Sequence, residues 1–127
     1  MATAEQRAHF EDLLDRLQPL GDVTGKAMFG GFGFWESGDM FALLSSQGVF
    51  HFKTDDTTVA RYRKAKATPF APEMSRGVMQ TTYWTVPKAV LRDDERFLEW
   101  GAEAVVVGHA TASPKRKRSS KKRPPTP

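Results

Sequence analysis

The hydrophobic pattern of the first twenty residues predicts an amphipathic helix. Its apolar positions recur at helical spacing: Phe10, Leu13, Leu14 and Leu17. Thr3 and Gln6 fit a capping box, in which each residue's side chain accepts a hydrogen bond from the other's backbone N–H. The helix is therefore expected to begin near Thr3, to end before Pro19, and to lay its apolar stripe over another layer of the fold.

Three β-type runs follow the helix, with glycine-containing turns between them. The runs read GKAMFGGFGFWE, DMFALLSS and GVFHFKT. The separators Ser37-Gly38 and Gln47-Gly48 are typical of two-residue hairpin turns, so the runs predict a three-stranded antiparallel meander.

The third run alternates between apolar and polar positions. Phe50 and Phe52 point to one side, and Val49, His51 and Lys53 point to the other. This alternation indicates a sheet with one covered face, and the amino-terminal helix is the expected cover.

A short basic helix is predicted next, within DDTTVARYRKAKA. Asp55 and Asp56 are its candidate caps, and it should end before Pro69. Two further strands are expected around MSRGVMQTTYWTV, with a turn at Arg76 and Gly77.

A final helical segment opens at Pro87. Asp93 and Asp94 can cap a helix there. Its predicted apolar stripe consists of Phe97, Leu98, Ala102 and Val105.

This order of elements predicts an α+β fold with two layers. The order is α-β-β-β-α-β-β-α, and the short connections favour a mainly antiparallel five-stranded sheet. Residues 1–109 form the predicted domain, while residues 110–127 lack apolar periodicity and are predicted to be a disordered basic tail.

Composition adds that this is one cysteine-free domain with two very different charge regions. The 127 residues are 39% hydrophobic, which suits a single core. The charged amino-terminal helix does not resemble a signal peptide, so we expect a cytoplasmic protein without a membrane segment.

The basic charge of the chain is concentrated at its carboxy-terminal end. The sequence pI is about 9.6. Seven of the 19 basic residues lie in the tail: Lys115, Arg116, Lys117, Arg118, Lys121, Lys122 and Arg123. Residues 1–109, which we call the body, contain the other 12 basic residues and all 15 acidic residues, so the net charge of the body is about −3.

Two interpretations of the tail stay open. It is either a solubilising appendage or an arm that binds the phosphates of DNA or RNA without sequence specificity.

The glycine-rich segment does not fit a nucleotide-binding motif. From Gly31, the G-x-G-x-x-G pattern would require glycine at Glu36, and no Gly-Lys-Ser/Thr follows as in a Walker motif. Gly30, Gly31 and Gly33 are therefore interpreted as strand glycines that allow a bend or a close backbone approach.

No catalytic or metal-binding set is evident in the sequence. His9, His51 and His109 lack a ligand partner at helical spacing and are predicted to be ordinary surface or edge histidines. The pairs Asp55-Asp56 and Asp93-Asp94 precede helices, where capping accounts for them. We therefore expect a non-enzymatic protein without metal or cofactor.

Aromatic residues are frequent in the predicted strands. They are Phe32, Phe34, Trp35, Tyr83 and Trp84. Core packing is the favoured interpretation, with base stacking or an oligomer interface as the alternatives.

Several of these segments, in this order, resemble the amino-terminal domain of the TfoX/Sxy proteins, bacterial regulators of natural competence. The resemblance covers residues from about 5 to 108. The motif positions, which are fold markers first and candidate contact residues second, are Met28, Phe29, Gly30, Gly31, Gly33, Tyr83, Trp84 and Pro87. The resemblance implies the same α-β-β-β-α-β-β-α order, a cyclic-AMP-responsive transcription factor as partner, and no catalytic residues. The family's full-length competence members carry a second, carboxy-terminal domain, and the basic tail stands in its place here.

The leading functional hypothesis is therefore a non-enzymatic regulatory domain of this type, which contacts a transcription factor or another protein while its tail adds nucleic-acid affinity. The alternative is a protein–protein interaction module, monomeric or homodimeric, whose tail is incidental. A third hypothesis is a small-ligand binder that uses the glycine-rich segment.

Overall fold

The computed structural model describes residues 3–28, 30–71, 73–74, 77–78 and 81–111, and within them it has the predicted α+β architecture. The helices are α1 (Ala4–Leu17), α2 (Val59–Lys64), α3 (Lys88–Arg92) and α4 (Asp94–Ala110), with a 3-10 turn at Gln18–Leu20. The strands are β1 (Val23–Met28), β2 (Gly31–Glu36), β3 (Asp39–Leu44), β4 (Phe50–Lys53), β5 (Glu73–Met74), β6 (Gly77–Val78) and β7 (Tyr83–Thr85). No helix in these ranges is long and apolar enough to cross a membrane.

The main sheet has five antiparallel strands in the order β1-β2-β3-β4-β7, as predicted in number and direction. Its membership differs from the prediction. The run GKAMFGGFGFWE is two strands rather than one, because the chain reverses next to Gly30, whose φ of +80° is a left-handed conformation that glycine adopts without steric cost. The strands β5 and β6 pair with each other in a separate ladder, so β7 alone joins the main sheet beside β4.

A register shift interrupts the pairing of β2 with β3. Phe34 lies opposite Ala42 and Trp35 lies opposite Met40, so Phe41 is an extra residue on β3. This arrangement is a β-bulge. Phe41 is fully buried and packs near Phe52, with 6.4 Å between their ring centroids.

The start of α1 is the predicted capping box. The Gln6 backbone N–H donates to Thr3 Oγ1 at 3.1 Å, and the Thr3 backbone N–H donates to Gln6 Oε1 at 2.8 Å. Three residues of its predicted stripe, Phe10, Leu13 and Leu17, are buried against the sheet, and Leu14 is half-buried. The helix therefore covers the face that the alternation in β4 predicted.

The core is a continuous aromatic cluster between the helices and the sheet. Phe10 stacks on Phe32 at 4.2 Å, and Phe50 lies 5.7 Å from Phe97 of α4. The buried side of α4 is Phe97, Trp100, Gly101, Ala104, Val107 and Gly108. The predicted stripe was wrong in part: Leu98 and Val105 are only half-buried, and Ala102 is exposed. The helix is rotated so that Trp100 can meet the Tyr62 ring of α2 at 4.8 Å.

The two aspartate pairs precede helices as predicted, but only Asp93 is an N-cap residue. Asp55 accepts the backbone N–H groups of Thr57 and Thr58 at 2.9 and 2.8 Å, one turn before α2. Asp93 caps α4 by accepting from the backbone N–H groups of Glu95 and Arg96. The N-cap residue of α2 is Thr58, whose side chain makes no capping bond, and Asp56 is exposed.

Candidate functional site

Two of the motif glycines, Gly31 and Gly33, occupy positions where a side chain would not fit. A Cβ on Gly31 would collide with the carbonyl oxygen of Leu44. A Cβ on Gly33 would come within 2.7 Å of both Met28 Sδ and the Trp35 ring. These residues lie at the start and in the middle of β2, as expected of strand glycines, and Phe29 lies outside the described residues.

The absence of a side chain at Gly33 allows Trp35 to lie against the strand. This occurs on the side of the sheet opposite α1 and α4, which we call the second face. The paired residues Lys26, Gly33, Leu43, His51 and Thr85 form one row across that face. Lys26 places its Nζ 5.3 Å from the centroid of the Trp35 ring, which is cation–π distance.

A second lysine–aromatic pair lies at the other side of this face. Lys53 of β4 pairs with Tyr83 of β7, and its Nζ lies 4.9 Å from the centroid of the Tyr83 ring. Both side chains are partly buried, so burial lowers the pKa of Lys53 and raises the pKa of Tyr83 to about 12. Tyr83 is therefore a neutral phenol near neutral pH.

The two other carboxy-terminal motif residues have structural roles. Trp84 points to the helix-covered side, where it packs against the core and lies beneath the Arg63 guanidinium at 5.7 Å. Pro87 is the N-cap residue of α3. The core interpretation holds for Phe32 and Phe34, which are buried, whereas Trp35 and Tyr83 lie on the second face.

His51 occupies the middle of the second face and is buried, with 3% exposure. The prediction of a surface or edge histidine was wrong for this residue, because the edge of the Phe70 ring packs on it at 5.2 Å. Within the described part of the chain its Nδ1 makes no hydrogen bond. Burial lowers the pKa of His51 to about 4, against an opposing effect of the Val49 and Leu43 backbone groups.

His109 holds the carboxy-terminal end of α4 to the β2–β3 hairpin. Its Nδ1 lies 2.7 Å from Asp39 Oδ2, and its Nε2 lies 2.6 Å from Glu36 Oε1. Because both ring nitrogens face carboxylate oxygens, the arrangement suits the protonated imidazolium. The hydrogen bond to Asp39, followed by the one to Glu36, raises the pKa of His109 although partial burial opposes this.

Glu36 is the centre of this cluster. Its other oxygen accepts from Ser37 Oγ at 2.8 Å and from the Asp22 backbone N–H at 3.0 Å. The bond from Ser37 is the largest cause of a lowered pKa of Glu36, and His109 lowers it further. Sequence spacing did not indicate this cluster, since His109 lies 70 and 73 positions away from its two partners.

A shallow depression of about 370 Å³ lies at the β7 end of the molecule, between α2 and α4. It is lined by Thr57, Thr58, Ala60, Arg61, Lys64 and Glu103. Arg61 forms a salt bridge there, with its Nη1 3.2 Å from Glu103 Oε1. Its guanidinium carbon also lies 4.5 Å from the centroid of the Trp100 ring. Among the residues described, no group of three His, Cys, Asp or Glu side chains is arranged to hold a metal ion.

The seven basic tail residues predicted to bind nucleic acid lie outside the described residues. They are Lys115, Arg116, Lys117, Arg118, Lys121, Lys122 and Arg123. Their role stays a prediction.

Taken together, these features describe a small two-layer α+β domain whose second face carries two lysine–aromatic pairs. The family model described as TfoX N-terminal domain matches residues 15–107. The chain therefore belongs to the TfoX N-terminal domain family, as the motif resemblance implied. A search of the curated proteins finds no match.

Proposed function

We propose that this protein is a non-enzymatic regulatory domain of the bacterial cytoplasm, associated with transcription or competence. Its folded body contacts a transcription factor or another protein, and its basic tail adds non-specific affinity for nucleic acid. The observation that carries the proposal is the family match over residues 15–107, which includes every described strand, helices α2 and α3, and most of α4.

The positions of two histidines support a non-enzymatic role. General acid–base chemistry needs a side chain within hydrogen-bond reach of a substrate proton. His109 is engaged at both ring nitrogens by Asp39 and Glu36, and His51 is buried beneath Phe70. In these positions both histidines contribute to the packing and the hydrogen bonds of the fold.

The separation of charge supports a division of labour between body and tail. The body carries about −3, whereas the tail has seven basic residues and no acidic one. Because polyanion binding by clustered cations releases condensed counterions, it has a steep salt dependence.

The tail's part is tested with a full-length variant in which all seven tail cations are replaced by Gln. Binding to duplex DNA is followed by fluorescence anisotropy over a salt series. The natural chain should give a slope of log K against log salt approaching about −6 if all seven cations meet phosphates. The variant should lose most of that slope, and an unchanged slope would contradict the tail's role.

The body's part is tested by affinity purification of both full-length versions from the native host after nuclease treatment. One protein, retained stoichiometrically by both versions and identified as a transcription factor, supports the proposal. Light scattering on the purified chain tests the alternative. A stable homodimer that retains no nucleic acid at physiological salt would favour the interaction module with an incidental tail.

A further inference from the structure

The charges of the folded body are separated onto its two sides. Helices α1 and α4, which cover one face of the sheet, carry eight acidic and three basic residues. The row and pairs that define the second face contain Lys26 and Lys53 and no acidic residue. The described strand residues of the second face therefore carry a local positive charge, in contrast to the net charge of about −3 of residues 1–109.

Neither lysine of this surface is neutralised by a carboxylate among the described residues. Lys53 Nζ donates to Thr82 Oγ1 at 3.1 Å, and Lys26 lies exposed above the Trp35 ring. Arg16 and Arg61, in contrast, are paired with Asp94 and Glu103. Within the described residues, no carboxylate therefore competes with an external anion for either lysine.

Each lysine stands beside an aromatic ring that is only partly buried. Trp35 and Tyr83 lie on β2 and β7, three strand spacings apart, which corresponds to about 14 Å. Between them Leu43 and His51 are covered, with 7% and 3% exposure, and the Phe70 ring packs on His51. The surface therefore offers two separate ring-and-cation positions instead of one apolar groove.

We propose that the second face binds single-stranded nucleic acid, with bases stacking on Trp35 and Tyr83 and backbone phosphates meeting Lys26 and Lys53. Stacking rings beside cations are the combination that single strands require, since unpaired bases expose their faces and the backbone supplies the charge. A duplex keeps its bases stacked internally and would use the lysines alone. An acidic peptide would likewise leave both rings unused.

This binding goes beyond the proposed function and is independent of the tail. It is therefore measured in the full-length chain whose seven tail cations are replaced by Gln. The probes are fluorescently labelled oligothymidylate and oligouridylate of about 10 nucleotides, with duplex DNA of equal length and polyglutamate as comparisons.

The first test removes the two lysines as K26Q/K53Q. Its matched control is K88Q/R92Q, which removes the same charge from exposed positions on α3. We expect K26Q/K53Q to bind oligothymidylate roughly tenfold more weakly, with a salt slope smaller in magnitude by about 1.4, and the control to bind like the parent. Equal effects of the two variants would overturn the proposal.

The second test examines the ring. Trp35→Phe should keep the affinity within about twofold while losing most of the tryptophan fluorescence quenching by the oligonucleotide, whereas Trp35→Leu should bind at least roughly fivefold more weakly. Circular dichroism and thermal melting show that each variant is folded. Tight binding of duplex DNA or polyglutamate in preference to the single strands, or no binding of single strands at low salt, would refute the assignment.

The two oligonucleotide series separate the possible sources of the ligand. Preference for oligothymidylate indicates single-stranded DNA, and preference for oligouridylate indicates RNA. Equal binding indicates recognition of base faces and phosphates without the 2′-hydroxyl.

Discussion

His51 and His109 are the same residue type in opposite electrostatic situations. His51 is enclosed on the second face with no partner for Nδ1 among the described residues, and burial lowers its pKa to about 4. His109 lies at the end of α4 with its side chain 40% exposed, and hydrogen bonds to Asp39 and Glu36 raise its pKa. The difference shows that the pKa follows from the balance between lost water and gained carboxylates.

The largest effect that we expect from this comparison is a loss of stability in acid caused by His51. Because the folded state favours the neutral ring, the stability that it supports is present above pH 6.5 and is lost as the pH falls toward about 4. The lowering of the pKa from 6.5 to about 4 corresponds to a loss of about 3 kcal/mol of unfolding free energy at pH 4. Urea unfolding of the natural chain and of His51→Leu between pH 4 and pH 8 measures it.

The His51→Leu variant should unfold at nearly the same urea concentration as the natural chain at pH 8, since within the described residues Nδ1 has no hydrogen bond to lose. At pH 4 it should be the more stable of the two. Parallel pH profiles of the two chains would mean that His51 can be protonated without cost in the fold.

The intermediate test removes the acceptor that holds His109. Glu36→Gln keeps the shape of the side chain but weakens its bonds to Ser37, to the Asp22 backbone and to His109. We expect a loss of about 1–2 kcal/mol at neutral pH. Since the pKa of Glu36 is lowered in the fold, its contribution is present above 4.5 and is lost as the pH falls through its folded pKa.

Thermal unfolding at pH 7 and pH 3.5 measures this loss. Glu99→Gln on the exposed side of α4 is the matched control and should change stability by less than about 0.5 kcal/mol. Equal losses in Glu36→Gln and Glu99→Gln would show that the cluster does not stabilise the fold.

The smallest expected effect belongs to His109 itself. Its raised pKa means that the stabilisation is complete below pH 6.5 and is lost as the pH rises through the folded pKa, which is the opposite slope to that of His51. Because the ring is more than a third exposed, the difference between the natural chain and His109→Gln should stay below about 1 kcal/mol.

Chemical unfolding at pH 6 and pH 9 gives this difference, with His9→Gln at an exposed position of α1 as the control. A difference between the natural chain and His109→Gln that grows with pH would reverse the assignment of charge to the imidazolium.

Local sequence signals predicted much of the fold. The capping box of Thr3 and Gln6, the two-residue turn at Ser37 and Gly38, and the alternation of Phe50 and Phe52 depend on neighbouring residues, so a short stretch of sequence is enough to predict them. The turn predicted at Gln47 and Gly48 is a three-residue loop instead, closed by a hydrogen bond from the Ser45 N–H to the Val49 carbonyl. The hairpin next to Gly30 was missed because consecutive glycines fit both a bent strand and a turn.

The contacts of the histidines could not be predicted in the same way. Alternation showed that His51 and Phe52 point to different sides of the sheet. It could not show that Phe70, nineteen positions after His51, would cover the side of His51. The partners of His109 come from a different hairpin, and only the packing of α4 on β3 brings them together. The residues that carry the family resemblance serve mainly to pack the fold. At Gly31 and Gly33, for example, there is no space for a side chain.

The bulge at Phe41 gives β3 one more core side chain than a regular strand with the same pairing would have. Without Phe41, the pairs Trp35–Met40 and Phe34–Ala42 would follow each other directly, so Ala42, Leu43 and Leu44 would keep their partners and their sides of the sheet. The change would remove the Phe41 ring, which is fully buried near Phe52. The extra residue therefore adds an aromatic ring to the core while the register on either side of it stays the same.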